Sequence, residues 1–338
     1  MYYYIFLCNR LYIILGLSLA FLLSSCNVER GNNRKHEEIY TPIESQSDRY
    51  ERINTRLGTH QYNGYIVGYN GDSIHSPGEA ILWTFTYIGA AECEDAYRQY
   101  SNYRENIENQ DGQPHRILPI VRKDLWDYTD RGFNFDGWAG FIYGYSSLWN
   151  KCPEYREELK ANWNQFHDRF IRQGKKLWPN GSHADIPPGF DIARRSFDRL
   201  VNNRSLPSQA YIRSLEGIIM VWMQGIQEKR EACYRANLAF LHMLSLENIG
   251  YEFSSYFNSK YCSIMKPFDI PTIDYWCGHN DLNEWLDNYK LNEWDYRHQR
   301  CGSWEQPDGN IRPGRELLES SAIDYIFAYG LKYGNRTD

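Results

Sequence analysis

The sequence predicts a mainly α-helical domain, and three observations carry that reading. Apolar residues recur at helical spacing through most of the chain, helix-start signals precede several of these stripes, and strand-like alternation is confined to residues 64–69.

The first stripe is Ala80, Trp83, Thr84, Tyr87, Ile88 and Ala91, three and four residues apart as one helix face requires. Ahead of it, Ser76-Pro77-Gly78-Glu79 reads as a capping box with Pro at the first helical position. A second stripe holds Phe135, Trp138, Phe141, Ile142, Tyr145 and Leu148, with Asp136 placed as an N-cap before Gly137. On this helix Gly137, Gly140 and Gly144 lie together, which would let a neighbouring helix approach closely. Further stripes run through Leu159, Trp163, Phe166 and Phe170, and through Tyr211, Leu215, Ile218, Ile219 and Trp222. Phe240, Met243 and Leu244 mark another helix, and Ile323, Ile326, Phe327 and Gly330 a last one. Pro153 and Pro207 stand where first-turn prolines are expected.

The N-terminus reads as an export leader. Residues 1–25 contain no acid and one charged side chain, Arg10, before the apolar run 11–23. At roughly 13 residues that run falls short of the ~20 that span a bilayer as a helix. Leu23-Ser24-Ser25-Cys26 resembles the lipobox of bacterial lipoproteins. The resemblance implies cleavage before Cys26, diacylglycerol on its thiol and a lasting acyl anchor in a membrane. Asn27 is not the Asp that retains enteric lipoproteins at the inner membrane, which implies a place in the cell envelope, at the outer membrane or periplasmic face. Residues 26–49 are rich in charge, Asn, Ser and Gln and are expected to form a solvated tether, leaving 50–338 as a single domain.

Loss of the leader removes one Arg and changes the net charge from −6 to −7, which disfavours nucleic acid as a partner. Six cysteines then remain for pairing, Cys93, Cys152, Cys233, Cys262, Cys277 and Cys301. They lack the spacing of a metal or redox motif and allow 15 disulfide connectivities. No Walker loop, dinucleotide fingerprint or nucleophile elbow is present, so no cofactor is expected. The chain is unusually aromatic, with 28 Tyr, 15 Phe and 11 Trp. Tyr and Trp offer a broad apolar face and a hydrogen-bonding tip, which suits both cores and sugar-stacking clefts.

Long helices joined by aromatic and Gly-rich loops predict a helical bundle or an (α/α) toroid. The latter resembles the barrels of (α/α) glycosidases and polysaccharide lyases in architecture, though no catalytic motif is shared. The stretch from Trp304-Glu305-Gln306-Pro307 to Asp324-Tyr325-Ile326-Phe327-Ala328-Tyr329-Gly330 is also similar to the closing segment of exported bacterial proteins of this helical type. Such a fold implies carbohydrate chemistry where helix N-termini converge. Two polar clusters precede predicted helices: Gly71-Asp72-Ser73-Ile74-His75, and Asp127, Asp130, Arg131 and Asp136 among Trp126, Tyr128 and Trp138. Asp72 with Asp130 or Asp136 would supply the two carboxylates of glycoside hydrolysis, and Arg131 would hold a sugar carboxylate. A lyase would instead use His75 or Tyr128 as base. The same acids also serve as helix caps and surface pairs. The alternative function is therefore a non-catalytic envelope lipoprotein that binds a polysaccharide or a protein. His183 and Asp185, and His279, Asn280 and Asp281, read as solvated loop residues and not as metal ligands.

Overall fold

Helix α2, Ala80–Ala90, is the centre of the fold because every one of its residues is buried. The sequence stripe marked only one apolar face. The other faces carry Ile81, Leu82, Phe85 and Ala90, which are apolar, and Thr86; its polarity and that of Thr84 within the stripe must be met inside. The Thr84 hydroxyl donates to the Ala80 carbonyl at 2.7 Å and accepts from the Ile66 amide at 2.9 Å. A helix apolar all round is a core helix, and its neighbours must wrap it.

The computed structural model describes residues 45–62, 64–70, 73–75, 80–105, 135–172, 188–209, 211, 213, 216–217, 219–220, 232–268, 270–289, 318–319 and 322–334. All fall in one compact unit, Glu44–Asp338. Helix α1 is Gln46–Leu57, and after α2 come α3 Cys93–Tyr103, α4 Phe135–Lys151, α5 Arg156–Arg172 and α6 Pro188–Val201. Then follow α7 Ala232–Asn248, α8 Ser255–Met265, α9 Pro271–Trp276, α10 Asn283–Asp287 and α11 Ile323–Tyr333. The chain is mainly helical, as its periodicity predicts. Among the described residues no helix is long and apolar enough to cross a membrane.

Five short strands accompany the helices among the described residues. β1 Gln61–Tyr62 pairs antiparallel with β2 Tyr65–Ile66, and β3 Gly68–Asn70 lies between β4 Ser73–His75 and β5 Leu318–Glu319. The strand expected over 64–69 is thus split at Val67 into β2 and β3, which belong to separate sheets. His75 stands in β4 opposite Gly68, not in a loop, because 73–75 return along β3.

Glycine sets how closely the helices pack. A Cβ on Gly140 would come within 2.8 Å of the Leu82 carbonyl oxygen, and one on Gly144 within 2.7 Å of the Phe85 carbonyl oxygen. Gly89 lies under the Tyr143 ring, and Gly330 of α11 abuts the Ala90 carbonyl. Further along, Ser147 bonds the Gly89 carbonyl and Lys151 the Ala91 carbonyl. The contacts advance together from Leu82 with Gly140 to Ala91 with Lys151, so α2 and α4 run parallel. α3 and α5 return antiparallel to α4, since Cys93 meets Cys152 while Tyr100 meets Tyr145, and Trp163, Phe166 and Phe170 meet Tyr145, Phe141 and Trp138 in turn.

The domain begins earlier than the tether composition suggests. Ser45 caps α1 by accepting from the Asp48 amide at 3.1 Å, and Tyr50, Ile53 and Leu57 face inward. Gln46 and Arg49, which read as tether, bond the far end of the chain. Arg49 donates to the Asp287 and Tyr289 carbonyls, and Gln46 accepts from the Tyr325 hydroxyl at 2.9 Å. Their polarity hid a helix whose partners are more than 200 residues away.

Two disulfides are formed among the described residues, Cys93–Cys152 across 59 residues and Cys262–Cys277 across 15. Loop-closure entropy makes them worth about 4 and about 3 kcal/mol respectively. The first fixes the start of α3 to the end of α4.

The tight α2–α4 contact reverses the usual effect of filling a helical glycine. An exposed Gly→Ala change gains about 1 kcal/mol of helix propensity, whereas Gly144→Ala is expected to lose about 1–3 kcal/mol by overpacking. Gly217 is helical with nothing within 4 Å of its added Cβ, and Gly217→Ala is the control that should be neutral or stabilising in urea unfolding.

Candidate functional site

Because α2 and α4 are parallel, their C-terminal ends come to the same place, and two more helices end there. Lys151 closes α4, Glu247 and Asn248 close α7, and Tyr333 closes α11. With Trp276 at the end of α9, these ends surround a groove of about 810 Å³. Tyr50, Tyr143, Trp276, Tyr329 and Tyr333 supply rings to its lining. Glu92, Glu94, Ser147, Asn150, Lys151, Glu247 and Asn248 supply polar groups.

The tyrosines form a ladder. Tyr329 stacks on Tyr50 at 4.3 Å and 26°, and packs against Tyr333 at 4.7 Å. Residues 325, 329 and 333 are four apart, so one face of α11 carries all three rings. Tyr333 stands 44% exposed at the outer end. Burial, then the nearby Glu92 carboxylate, raises the Tyr329 phenol above its ordinary value.

Lys151 has a structural assignment. Its ammonium donates to the carbonyls of Ile88 at 2.8 Å, Gly89 at 3.1 Å and Ala91. These are the carbonyls a helix leaves unsatisfied at its C-terminus, where the dipole also favours a cation. Burial brings the ammonium down to about 7, against the opposing pull of Glu92. All three protons are committed to the backbone, so the residue caps α2 and is not placed as a nucleophile.

Glu92 occupies the N-cap position of α3 but makes no capping hydrogen bond. Its charge acts on Tyr50, Lys151 and Tyr329 together, which places the carboxylate in the groove. Glu247 accepts from the Trp276 indole through both oxygens, each at 3.2 Å. That bond orients the ring and fixes the acid.

A second polar cluster links α5 and α6. His167 meets Asp198 through Nδ1 at 3.2 Å, and its Nε2 lies 2.6 Å from Arg194 Nη1. Arg194 and Arg195 both donate to Asp191. Burial alone would raise the Asp191 carboxyl, but the two guanidiniums hold it below the usual range. Burial lowers His167 more than Asp198 raises it, and Arg194 adds to the lowering. A neutral ring donating to Asp198 and accepting from Arg194 satisfies this geometry. The cluster cross-links two helices with both ring nitrogens engaged.

Only part of the sequence-predicted site lies among the described residues. Cys26, Asp72, Trp126, Tyr128, Asp130 and Arg131, with Ser76–Glu79, His183 and Asp185, lie outside the described residues. Asp136 sits inside the first turn of α4 and not ahead of it. Seven residues separate it from Tyr143, the nearest α4 residue in the groove lining, so about 10 Å of helix divide it from the groove. Trp138 is 0% exposed, packed on Phe170 at 5.2 Å and Phe166 at 6.2 Å. It is a core residue, since its ring faces are covered by α5. His279, Asn280 and Asp281 are exposed, and Asn280 and Asp281 accept the Leu282 and Asn283 amides in a turn. No group of three or more His, Cys, Asp or Glu able to hold a metal occurs among the described residues.

Sequence reasoning missed Glu92, Lys151, Glu247, Trp276 and Tyr333. One signal was available: tyrosines at 325, 329 and 333 recur at the four-residue spacing of an aromatic helix face. Family models, curated proteins and solved structures provide no match to this chain.

Buried histidines make the fold acid-sensitive. His242 on α7 is brought down by burial from 6.5 to about 3, and His167 is lowered too. As pH falls below about 6.5 the unfolded chain binds protons that the folded chain refuses, so stability declines toward pH 3 by up to about 1.4 kcal/mol per pH unit for His242, and His167 acts in the same direction. Replacing His242 with Leu is expected to flatten that slope in urea midpoints taken from pH 7 to pH 4. A slope equal to wild type would contradict the assignment.

Proposed function

We propose that this chain is a lipid-anchored protein of the cell envelope whose helical domain binds a saccharide in the groove between the helix ends, without catalysis. One observation carries the binding part: a groove of about 810 Å³ joins five aromatic side chains to amide and carboxylate groups. Saccharide rings present apolar faces edged with hydroxyls, and a lining of Tyr and Trp rings with polar tips complements both features. The volume suits a few sugar units and not an extended protein surface.

Binding is favoured over hydrolysis by how the groove's ionisable groups are used. Glu247 is tied to Trp276, and the Lys151 protons are directed at carbonyls. The acid Asp136 stands at the other end of α4. The anchor rests on the lipobox-like Leu23-Ser24-Ser25-Cys26, and a lipid-held binding protein needs no more than an exposed groove.

Two measurements test the two parts. Labelling with a fatty acid should be lost in Cys26→Ala, and persistent wild-type labelling would remove the anchor from the proposal. Calorimetry against a polysaccharide panel should find a ligand that yields no new reducing ends or unsaturated products on long incubation. Tyr333→Ala should weaken it about fivefold, equivalent to ~1 kcal/mol of stacking. Cleavage of the ligand would favour a hydrolase or lyase instead.

A further inference from the structure

Most neighbouring helices in bundles run antiparallel, and their dipoles cancel. Here α2, α4, α7 and α11 end together at the groove. Each C-terminus carries the equivalent of about half a negative charge. Lys151 caps the end of α2 and the N-terminus of α3 offsets one more, so the remaining C-termini leave a net negative partial charge at this end.

Side chains reinforce that sign. Glu92, Glu94 and Glu247 line the groove, and Lys151 is the one Lys or Arg in its lining. The Lys151 ammonium is already turned to the carbonyls of α2. Lys332, the neighbouring cation on α11, is committed to the Asp281 carbonyl and to Asn283. The helix that begins at the groove, α3, brings acids in its first turn, Glu94 and Asp95. The rings add a third attraction, because the faces of Tyr and Trp carry the negative lobe of the aromatic quadrupole.

We propose that the groove receives a positively charged group, and that its ligand is a saccharide bearing a protonated amine. The saccharide half rests on the function proposed above; the charge half rests on the helix ends, the carboxylates and the rings. An anionic sugar would meet like charge from three carboxylates and the helix C-termini. A neutral sugar would use the rings and leave the field unused. An ammonium on the ring satisfies Glu92 and Glu247 while the sugar face stacks on the tyrosine ladder.

Calorimetry on the full mature chain separates the two halves. The probes are glucosamine oligomers, the same oligomers N-acetylated, and spermidine as a cation without a sugar. The deacetylated oligomer should bind about tenfold tighter than the acetylated one, and the difference should shrink as salt is raised. Glu92→Gln and Glu247→Gln, both near-isosteric, should each lose most of that preference while thermal unfolding stays unchanged. Equal affinity for the two oligomers, or a preference untouched by both substitutions, overturns the charge inference and leaves sugar binding standing. Binding of spermidine with neither oligomer supports the charged groove and overturns the sugar reading. Failure of all three probes overturns both.

Discussion

Close contact between α2 and α4 is the constraint on which the rest of the structure depends. Without side chains at Gly140 and Gly144, the two backbones approach until Leu82 and Phe85 fill the space a Cβ would take. Such an approach locks the helices in register, because a shift by one residue would drive a larger side chain into the α2 carbonyls. The register in turn brings Lys151 over the last carbonyls of α2. A backbone feature at mid-helix therefore determines which side chain terminates the neighbouring helix, about two turns away.

Parallel packing then shapes the surface. Antiparallel returns by α3 and α5 surround the inner helices with rings, and Trp163 meets Tyr145 and Phe197 edge-on at 5.4 and 4.6 Å. Two buried hydroxyls of this aromatic layer pair with each other: Tyr100 and Tyr145 lie 3.0 Å apart, and Asn162 donates to Tyr100 at 2.9 Å. Aromatic abundance is thus mostly a solution to packing. At the C-terminal ends the same residue types stack on one another and line a groove.

Much of the fold was legible because burial follows period. Leu159, Trp163, Phe166 and Phe170 are all inward on α5, as their spacing implies, and the Gly140–Gly144 pair meets a helix as expected. The start of α1 was illegible since Gln46 and Arg49 earn their place through contacts with Asp287, Tyr289 and Tyr325, which no local pattern records. Trp138 shows how one residue of the expected site proves to be core, while the loop acids grouped with it lie outside the described residues. A tryptophan beside acids looks the same in sequence whether its ring faces a cleft or Phe170. Helix direction also decides which ends meet, and periodicity carries no direction. Because α2 and α4 are parallel, their N-terminal ends adjoin as their C-terminal ends do, and the groove lies on the C-terminal side.

The stack of Tyr50 on Tyr329 joins residues 279 apart. Contacts of such separation form late, since the chain entropy lost in closing the loop comes before any reward. The groove takes its walls from α1, α2, α3, α4, α7, α9 and α11, so it is complete only when the last helix docks. Until then α2, apolar on every side, lacks the cover of Ile326, Phe327 and Gly330. A chain that has not yet received its final segment would expose its stickiest helix, and its transit through an unfolded state is the stage most open to aggregation and proteolysis.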